Sequence, residues 1–371
     1  MRVAFVTNHT ALDASSRQRV YQYLPGLRAL GLEVSVHPFS DEALFEVMHA
    51  PGHLPAKVGG LLRATARRLG LVLRGLDADV VVLHREAFPF GPPWLETALA
   101  RGRAPVVFSF DDALYAPFPY AGGGGRRLLY RLKYGRDLGP VLRRCAAVIA
   151  GNRHLAEYAR RHNPTVTVIP TAVDTDALSP PPSRPPGRLT VGWIGGPSTS
   201  VHVRDVAGSL AELATRRPEV DFLLVGDPRL AALDLPRAEV RAWSMAREAD
   251  DLRAMDVGLM PLQDSEWTRG KCAFKAIQYM AVGAPVVASR LGASAEVVED
   301  GGSGLLVDGP EGWAGALEGI CADPGLRAAM GRRGRQLAQE RFSLRATLPD
   351  LARVIQAAGE TRGLAPSAAV P

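Results

Sequence analysis

Two stretches of this chain carry residues whose types and spacing suit an anion. The run Arg269-Gly270-Lys271-Cys272-Ala273-Phe274-Lys275-Ala276-Ile277-Gln278 sets two lysines four positions apart, on one face if the segment is helical. Gly270 is expected to open that helix and expose its first-turn amides. Two cations so placed gain nothing from the helix dipole. A bound phosphate accounts for them; the competing reading is a solvated lysine pair above an apolar Phe274, Ile277 and Met280 face. The second stretch is Gly195-Gly196-Pro197-Ser198-Thr199-Ser200, between an expected strand and an expected helix. Its glycines admit close backbone approach, and its hydroxyls add donors or cap the helix. The turn has neither Walker spacing nor GxGxxG, so a plain turn with a cap competes with an anion site.

Further candidates lie at the ends of expected strands. Asp111 and Asp112 follow Phe108-Ser109-Phe110, and His84 closes Asp79 to Leu83. In Ser15-Ser16-Arg17-Gln18-Arg19, Arg17 near a helix start calls for an anion or an acidic neighbour. Cys145, Cys272 and Cys321 offer neither a disulfide framework nor metal-ligand spacing, and nothing near Cys272 marks it as a nucleophile. No metal site is expected.

The elements that must position these residues alternate along the chain. Strands are expected at 2–8, 33–37, 79–83, 105–110, 147–150 and 166–169, with an amphipathic helix from Ser16 to Leu30 ended by Gly31. Residues 179–186, SPPPSRPP, lack the amide donors a helix or central strand needs. A second alternating unit follows, with strands at 189–193, 221–225, 240–243, 257–260 and 285–289, a helix from Ser200 to Arg216, and a closing helix over 344–358. The expected division is a first domain over 1–172, a linker over 173–188, a second domain over 189–343, and a closing helix with tail over 344–371. Both domains read as parallel α/β sheets covered on two faces, and two such domains leave a cleft between them.

With 371 residues the chain exceeds one ordinary core, and 47% hydrophobic with 22% charged residues is an ordinary globular balance. Met1-Arg2 runs straight into a strand-like Val3 to Val6, so no secretory leader is expected, nor is any apolar run of about 18 residues present to cross a bilayer. A cytoplasmic protein is expected, with peripheral contact at the inner membrane face as an option. That option comes from two basic, leucine-containing regions: Arg63, Arg67, Arg68 and Arg74, and then Arg126, Arg127, Arg131, Lys133, Arg136, Arg143 and Arg144. Both suit anionic lipid or a phosphorylated substrate, or are solvated helix faces. Nucleic acid is not expected, because no aromatic-interleaved basic patch or zinc module accompanies the net charge of +6.

The run Lys271 to Ser289, KCAFKAIQYMAVGAPVVAS, with Gly292, Glu296 and Asp300 to Val307 after it, resembles the donor domain of the retaining glycosyltransferases of GT-B fold. This family 4-like group includes glycogen and sucrose-phosphate synthases and many bacterial glycan and lipid glycosyltransferases. Pro170-Thr171-Ala172-Val173-Asp174 resembles the family's P-N-G-V-D segment, and Ala150-Gly151-Asn152 its end-of-domain strand and loop. The resemblance covers most of the chain, and its C-terminal block is the specific part. It implies two Rossmann-like domains facing across a cleft, a nucleoside-diphosphate sugar as donor substrate without a permanent cofactor, and a hydroxyl acceptor on a glycan, lipid or small metabolite.

Residue by residue, the resemblance is altered. Gly270 and Gln278 stand where the family has E-x7-E, so Gln278 is left to meet a ribose hydroxyl and Gly270 brings no carboxylate. The family's pyrophosphate-flanking Arg and Lys are absent from Gly195 to Ser200. Lys271 is the expected replacement, with Lys275 second. Glu296 stands where the family often has an acid, and Trp243 lies in its base-recognition region. Phe110 occupies the place of a family histidine, leaving Asp111 or Asp112 to orient the acceptor hydroxyl, with His84 the nearest other polar group and Arg17 and Arg19 on the phosphate side. A nucleotide-sugar epimerase of the same fold and a non-catalytic glycan-binding or scaffold subunit are the alternatives.

Overall fold

The computed structural model describes residues 1–50, 52–119, 135–182 and 188–361. The chain divides into two compact units, residues 1–171 with 347 onward, and residues 172–346. Outside the described residues lie Arg126, Arg127, Arg131 and Lys133, the glycine run 122–125, 183–187 of the proline-rich stretch, and 362–371.

The first unit is built on six parallel strands: β1 (Arg2–Thr7), β2 (Glu33–Pro38), β3 (Val80–His84), β4 (Val106–Phe110), β5 (Ala147–Ala150) and β6 (Val166–Val168), in spatial order β2-β1-β3-β4-β5-β6. Its central strands β3, β4 and β5 are buried along their whole length, which is why they read as unbroken apolar runs. The last helix, Leu344–Glu360, rests on this unit: Thr347 Oγ1 lies 2.8 Å from Tyr23 Oη, and Gly359 packs beside Met1 and Val80.

The second unit repeats the plan with β7 (Leu189–Ile194), β8 (Val220–Val225), β9 (Ala238–Arg241), β10 (Val257–Met260), β11 (Val286–Ser289) and β12 (Gly304–Val307), ordered β12-β11-β10-β7-β8-β9 and all parallel. Its sheet separates two cores. Ala276, Ile277, Tyr279 and Met280 fill one, and Trp193, Leu210, Leu213, Trp313 and Leu317 the other. In each sheet growth reverses once, between β1 and β3 and between β7 and β10. The carboxyl ends of strands at such a reversal form the crevice where ligands of open α/β sheets bind.

Several expected elements are broken or displaced. The helix expected from Ser16 to Leu30 is Ala14–Arg19, a 3-10 turn Tyr21–Tyr23 and Leu24–Ala29, because Pro25 has no amide to donate and fits only a first turn. The helix expected from Ser200 to Arg216 is interrupted at Val206, giving Val201–Asp205 and Ala207–Arg216. The strand expected at 240–243 ends at Arg241, so Trp243 lies beyond it and is exposed.

Candidate functional site

In the second unit the crevice between β7 and β10 is held by one phenol. Tyr279 Oη accepts from the Ile194 amide at 3.1 Å and donates to the Leu259 carbonyl at 3.2 Å, bridging the two strands where their register ends. Gly258 lets that ring in, since a Cβ there would lie 2.2 Å from Tyr279 Cγ. Directly beyond Ile194 comes the Gly195-Gly196 turn. A Cβ on Gly195 would lie 2.5 Å from Lys275 Cε and 2.7 Å from Trp193 Cζ2, so the lysine stem runs across the glycine. Its ammonium sits 5.7 Å from the Trp193 ring centroid.

The loop before Lys275 departs from expectation. Gly270 caps the C-terminus of a short helix, Glu266–Arg269, which a Ser265/Thr268 capping box starts. The next helix is Phe274–Ala281, and its N-cap is Ala273 in the left-handed region at φ 51° with no side-chain cap. Lys271 therefore precedes the helix and does not share its face with Lys275; its ammonium lies 4.7 Å from the Trp267 ring centroid. Both lysines nonetheless act electrostatically on His202. That imidazole is buried and held down to about 4 by burial first, then by Lys275 and Lys271. Its Nδ1 accepts the Gln263 amide at 3.2 Å, as a neutral ring does, which ties the helix after the glycine turn to the loop after β10. A cavity of about 630 Å³ opens beside it, lined by His202, Pro261, Gln263, Ser289, Arg290 and Trp313.

The other residues expected on the donor side distribute unevenly. Ser198 and Gly196 are exposed on the turn, while Thr199 Oγ1 donates to the Gly196 carbonyl at 3.1 Å. Neither Ser198 nor Thr199 caps the helix, and the Ser200 hydroxyl is given to Asp227 and Pro197, so the expected hydroxyl cap is absent from Val201–Asp205. Cys272 and Ala273 are buried and Phe274 packs on the core. Gln278 is buried too, and its Nε2 donates to Glu248 Oε1 at 2.5 Å; Trp243 Nε1 donates to the other Glu248 oxygen at 3.2 Å. Glu248 thus brings a carboxylate to the place where Gln278 lacks one. Glu296 is half-buried on Ser294–Val297, in the loop that Gly292 lays against the Arg269 backbone, 2.7 Å from where its Cβ would be.

In the first unit a polar cluster occupies the carboxyl ends of β1, β3 and β4. Ser15 Oγ donates to Asp111 Oδ2 at 2.6 Å and lies 2.9 Å from His84 Nε2. The Ser15 proton is committed to Asp111, so the contact with His84 is satisfied when His84 Nε2 carries its proton and donates. His84 is held down to about 4, by burial above all, and is neutral at physiological pH. Asp111 lies below its usual range: burial alone would raise it, but Arg85, His84, Arg19 and the Ser15 hydroxyl together outweigh that. Arg85 adopts φ 62°, a conformation costly for a residue with a side chain, and its guanidinium lies 3.3 Å from Asp112 and 3.5 Å from Glu86. Glu86 in turn accepts from Asn8 Nδ2 at 3.1 Å.

The arginines differ from their expected roles. Asp13 caps Ala14–Arg19, and Arg17 falls in the last turn, where a cation is favourable, with Nη1 donating to the Ala11 carbonyl at 3.2 Å. Arg19 is buried and donates to the Ile169 carbonyl at 2.7 Å. Arg68 is turned inward, donating to the carbonyls of Thr7 at 2.8 Å and His37 at 2.9 Å, and buried Arg136 pairs with Glu96 at 3.1 Å. Neither is a surface cation. Among the described residues no group of three or more His, Cys, Asp or Glu side chains is placed to hold a metal ion.

Two family profiles match the chain in succession. The one described as Glycosyltransferase Family 4 covers residues 17–177, and the one described as Glycosyl transferases group 1 covers 188–323. The chain belongs to the family 4-like glycosyltransferases of GT-B fold. It is 28% identical to the D-inositol 3-phosphate glycosyltransferase of Xylanimonas cellulosilytica, over 92% of this chain and 84% of that one. To the GDP-mannose-dependent alpha-(1-6)-phosphatidylinositol monomannoside mannosyltransferase of Mycolicibacterium smegmatis it is 29% identical, over 66% and 74%. The match spans only about half of other relatives, such as 52% of the D-inositol 3-phosphate glycosyltransferase of Segniliparus rotundus at 29% identity. The fold matches sucrose-phosphate synthase from Thermosynechococcus elongatus, with TM-score 0.67 and 17% identity over 96% of this chain and 98% of that one. It also matches Anabaena HepE in complex with UDP, with TM-score 0.65 and 15% identity over 96% and 100%.

Within this family member, sequence reasoning singled out the lysine loop, Asp111 and His84, and missed Ser15, Arg85, His202 and Glu248. The polar residues of His84-Arg85-Glu86 at one strand end were a signal for Arg85. For His202 and Glu248 there was none, since each lies among other charged residues of its helix and nothing in the sequence singles it out until the fold brings its partners near.

Proposed function

We propose that this chain transfers a sugar, with retention at the anomeric carbon, from a nucleoside diphosphate sugar bound by the second unit to a hydroxyl acceptor served by the first. The observation that carries this reading is the laying of Lys275 across the Gly195-Gly196 turn, with Lys271 near enough that both lysines act on His202. The exposed Gly196, an uncapped start to Phe274–Ala281 and two ammonium groups suit a diphosphate, while the Gly195 amide is given to the Val225 carbonyl. As the bond from the anomeric carbon to the β-phosphate oxygen breaks, its electron pair stays on that oxygen. The lysines meet the growing charge, which lowers the barrier. The acceptor hydroxyl oxygen bonds to the anomeric carbon on the same face, and its proton passes to the leaving phosphate. His202, buried and neutral, brings no charge of its own, so the cations beside the leaving group are the two lysines. Glu248, steadied by Gln278 and Trp243, is the carboxylate assigned to the donor's ribose.

On the acceptor side, Asp111 accepts or orients the hydroxyl that would displace Ser15, and Arg85 suits a phosphate on the acceptor. Relatives named for inositol phosphate and phosphatidylinositol mannoside put phosphorylated cyclitols and lipid-linked sugars first in an acceptor screen. The test is ligand-induced stabilisation by UDP-, GDP-, ADP- and dTDP-sugars, followed by turnover of the best binder with product analysis. Lys271→Ala and Lys275→Ala are expected to lower turnover by about 100-fold, with melting of the unliganded protein changed little. A donor epimerised in the absence of any acceptor, or a panel in which no sugar nucleotide stabilises the protein, refutes the reading.

A further inference from the structure

Lys271 and Lys275 each face an aromatic ring. Lys271 Nζ lies 4.7 Å from the Trp267 ring centroid and Lys275 Nζ lies 5.7 Å from that of Trp193, both within the roughly 6 Å over which a ring face attracts a cation. The first contact follows from the local fold. The helix Glu266–Arg269 ends at Gly270, yet the Lys271 amide still donates to the Thr268 carbonyl at 3.0 Å, a bond of 3-10 type that tightens the last turn. Lys271, four positions after Trp267, is thereby carried back over the indole. Trp267 itself is fixed in place. It is 4% exposed, and Ser265 and Thr268 brace its turn with reciprocal bonds of 2.9 and 3.1 Å. Arg269 donates to both oxygens of Asp264 at 2.7 Å, and Gly292 lies against the Arg269 backbone. A rigid ring thus supports a side chain that has a flexible four-carbon stem.

A carboxylate in the place of that ring would cancel the charge of the lysine and repel an incoming diphosphate. An indole face attracts the ammonium through its quadrupole and brings no net charge, so the cation is confined beforehand and keeps its full attraction for an anion. We propose that Trp267 is a positioning residue of the donor site: its ring holds the Lys271 ammonium where the diphosphate arrives, and it raises affinity for nucleoside diphosphates by acting through Lys271. The inference rests on the reading that Lys271 meets the diphosphate of the donor. Trp193 stands in the same relation to Lys275, but it is also core beneath Gly195, so replacing it would not isolate the contact.

The test is calorimetric titration of the full chain with UDP, GDP, ADP and dTDP, the tightest binder then serving as probe for the variants, each first melted without ligand. Lys271→Ala is expected to weaken binding about tenfold or more. Trp267→Leu is expected to weaken it about three- to tenfold, and Trp267→Phe, which keeps a smaller ring face, by less. The double variant Trp267→Leu with Lys271→Ala is expected to stay within about twofold of Lys271→Ala alone, because a ring with no ammonium to hold has nothing further to contribute. General damage to the loop would instead multiply the two losses. A second readout leaves the tryptophan in place: with fluorotryptophan incorporated, the Trp267 resonance, assigned by its loss in Trp267→Phe, is expected to move when the probe is added to the parent and to stay still in Lys271→Ala. Binding by Trp267→Leu equal to the parent, while Lys271→Ala is weakened, overturns the inference and leaves the proposed function standing. Multiplied losses in the double variant, or a Trp267 resonance that responds alike with and without Lys271, overturn it too. Binding by Lys271→Ala equal to the parent, or a parent that binds none of the four nucleotides, refutes the donor reading itself, and the inference falls with it.

Discussion

Methyl groups on Gly195 and Gly196 are expected to act differently, and the pair tests how the turn is used. In Gly195→Ala the added Cβ meets Lys275 Cε at 2.5 Å and Trp193 Cζ2 at 2.7 Å. Trp193 is buried in the core and cannot yield, whereas the lysine stem can swing out. Overpacking costs about 1–3 kcal/mol, and stiffening of the unfolded chain returns about 0.4–1 kcal/mol, so a net loss of about 1–2 kcal/mol is expected. The displaced ammonium removes a charge-assisted contact of about 1.5–3 kcal/mol, which corresponds to a loss of about 10- to 150-fold in donor affinity. In Gly196→Ala the new Cβ meets nothing within 4 Å, so melting should hold or rise slightly. Yet donor affinity should fall by at least tenfold, or about 1.4 kcal/mol, because the methyl group fills the space a phosphate needs. Thermal melts of the unliganded variants, donor titration and kcat/KM measure all four quantities. A Gly196→Ala protein that melts, binds donor and turns over like the parent removes the turn from the donor site. A Gly195→Ala protein that melts like the parent contradicts the packing of Lys275 on Trp193.

Three other predictions concern buried charge. His84 and His202 titrate near 4 when folded and near 6.5 when unfolded, so between those values the unfolded chain binds more protons. Stability is complete above about 6.5 and should fall as pH drops toward 4; His84→Gln and His202→Gln should each flatten part of that slope in melting curves, and a flat parent curve would show that neither ring is buried neutral. Removing Lys275 should raise the His202 titration in NMR, since that ammonium is the largest charge acting on it. Glu96 Oε1 accepts from the Ala87 amide at 2.9 Å and from Arg136 at 3.1 Å, both buried, so Glu96→Ala strands a buried guanidinium. A loss of about 3–5 kcal/mol in urea unfolding is expected, and a loss under about 1 kcal/mol would mean that water reaches the pair.

The strands were the most legible part of the fold. Val80–His84, Val106–Phe110 and Val257–Met260 lie within a residue or so of where the apolar runs place them, because a strand buried on both faces has to be apolar throughout. Helix ends were less legible. Gly270 looked like a helix start, but the start depends on Ala273 taking a left-handed conformation, which no propensity favours and which the surrounding packing imposes. Trp243 was assigned to a strand that ends two residues earlier, and its indole is committed to Glu248.

For the site, composition alone marked the glycine turn and the lysine pair as suited to an anion, and the resemblance to a known family said which anion to expect. These readings are local: a glycine turn and two nearby cations are visible within a dozen residues. The sequence by itself determined two parallel α/β units and the segments whose residue types suit an anion. Only the tertiary structure decided which side chains meet: Lys275 across Gly195, Glu248 on Gln278, and Ser15 between His84 and Asp111. Partners such as Ser15 and Asp111 are 96 positions apart, so no periodicity links them. Sheet order, with its reversals at β1/β3 and β7/β10, brings them to the same strand ends.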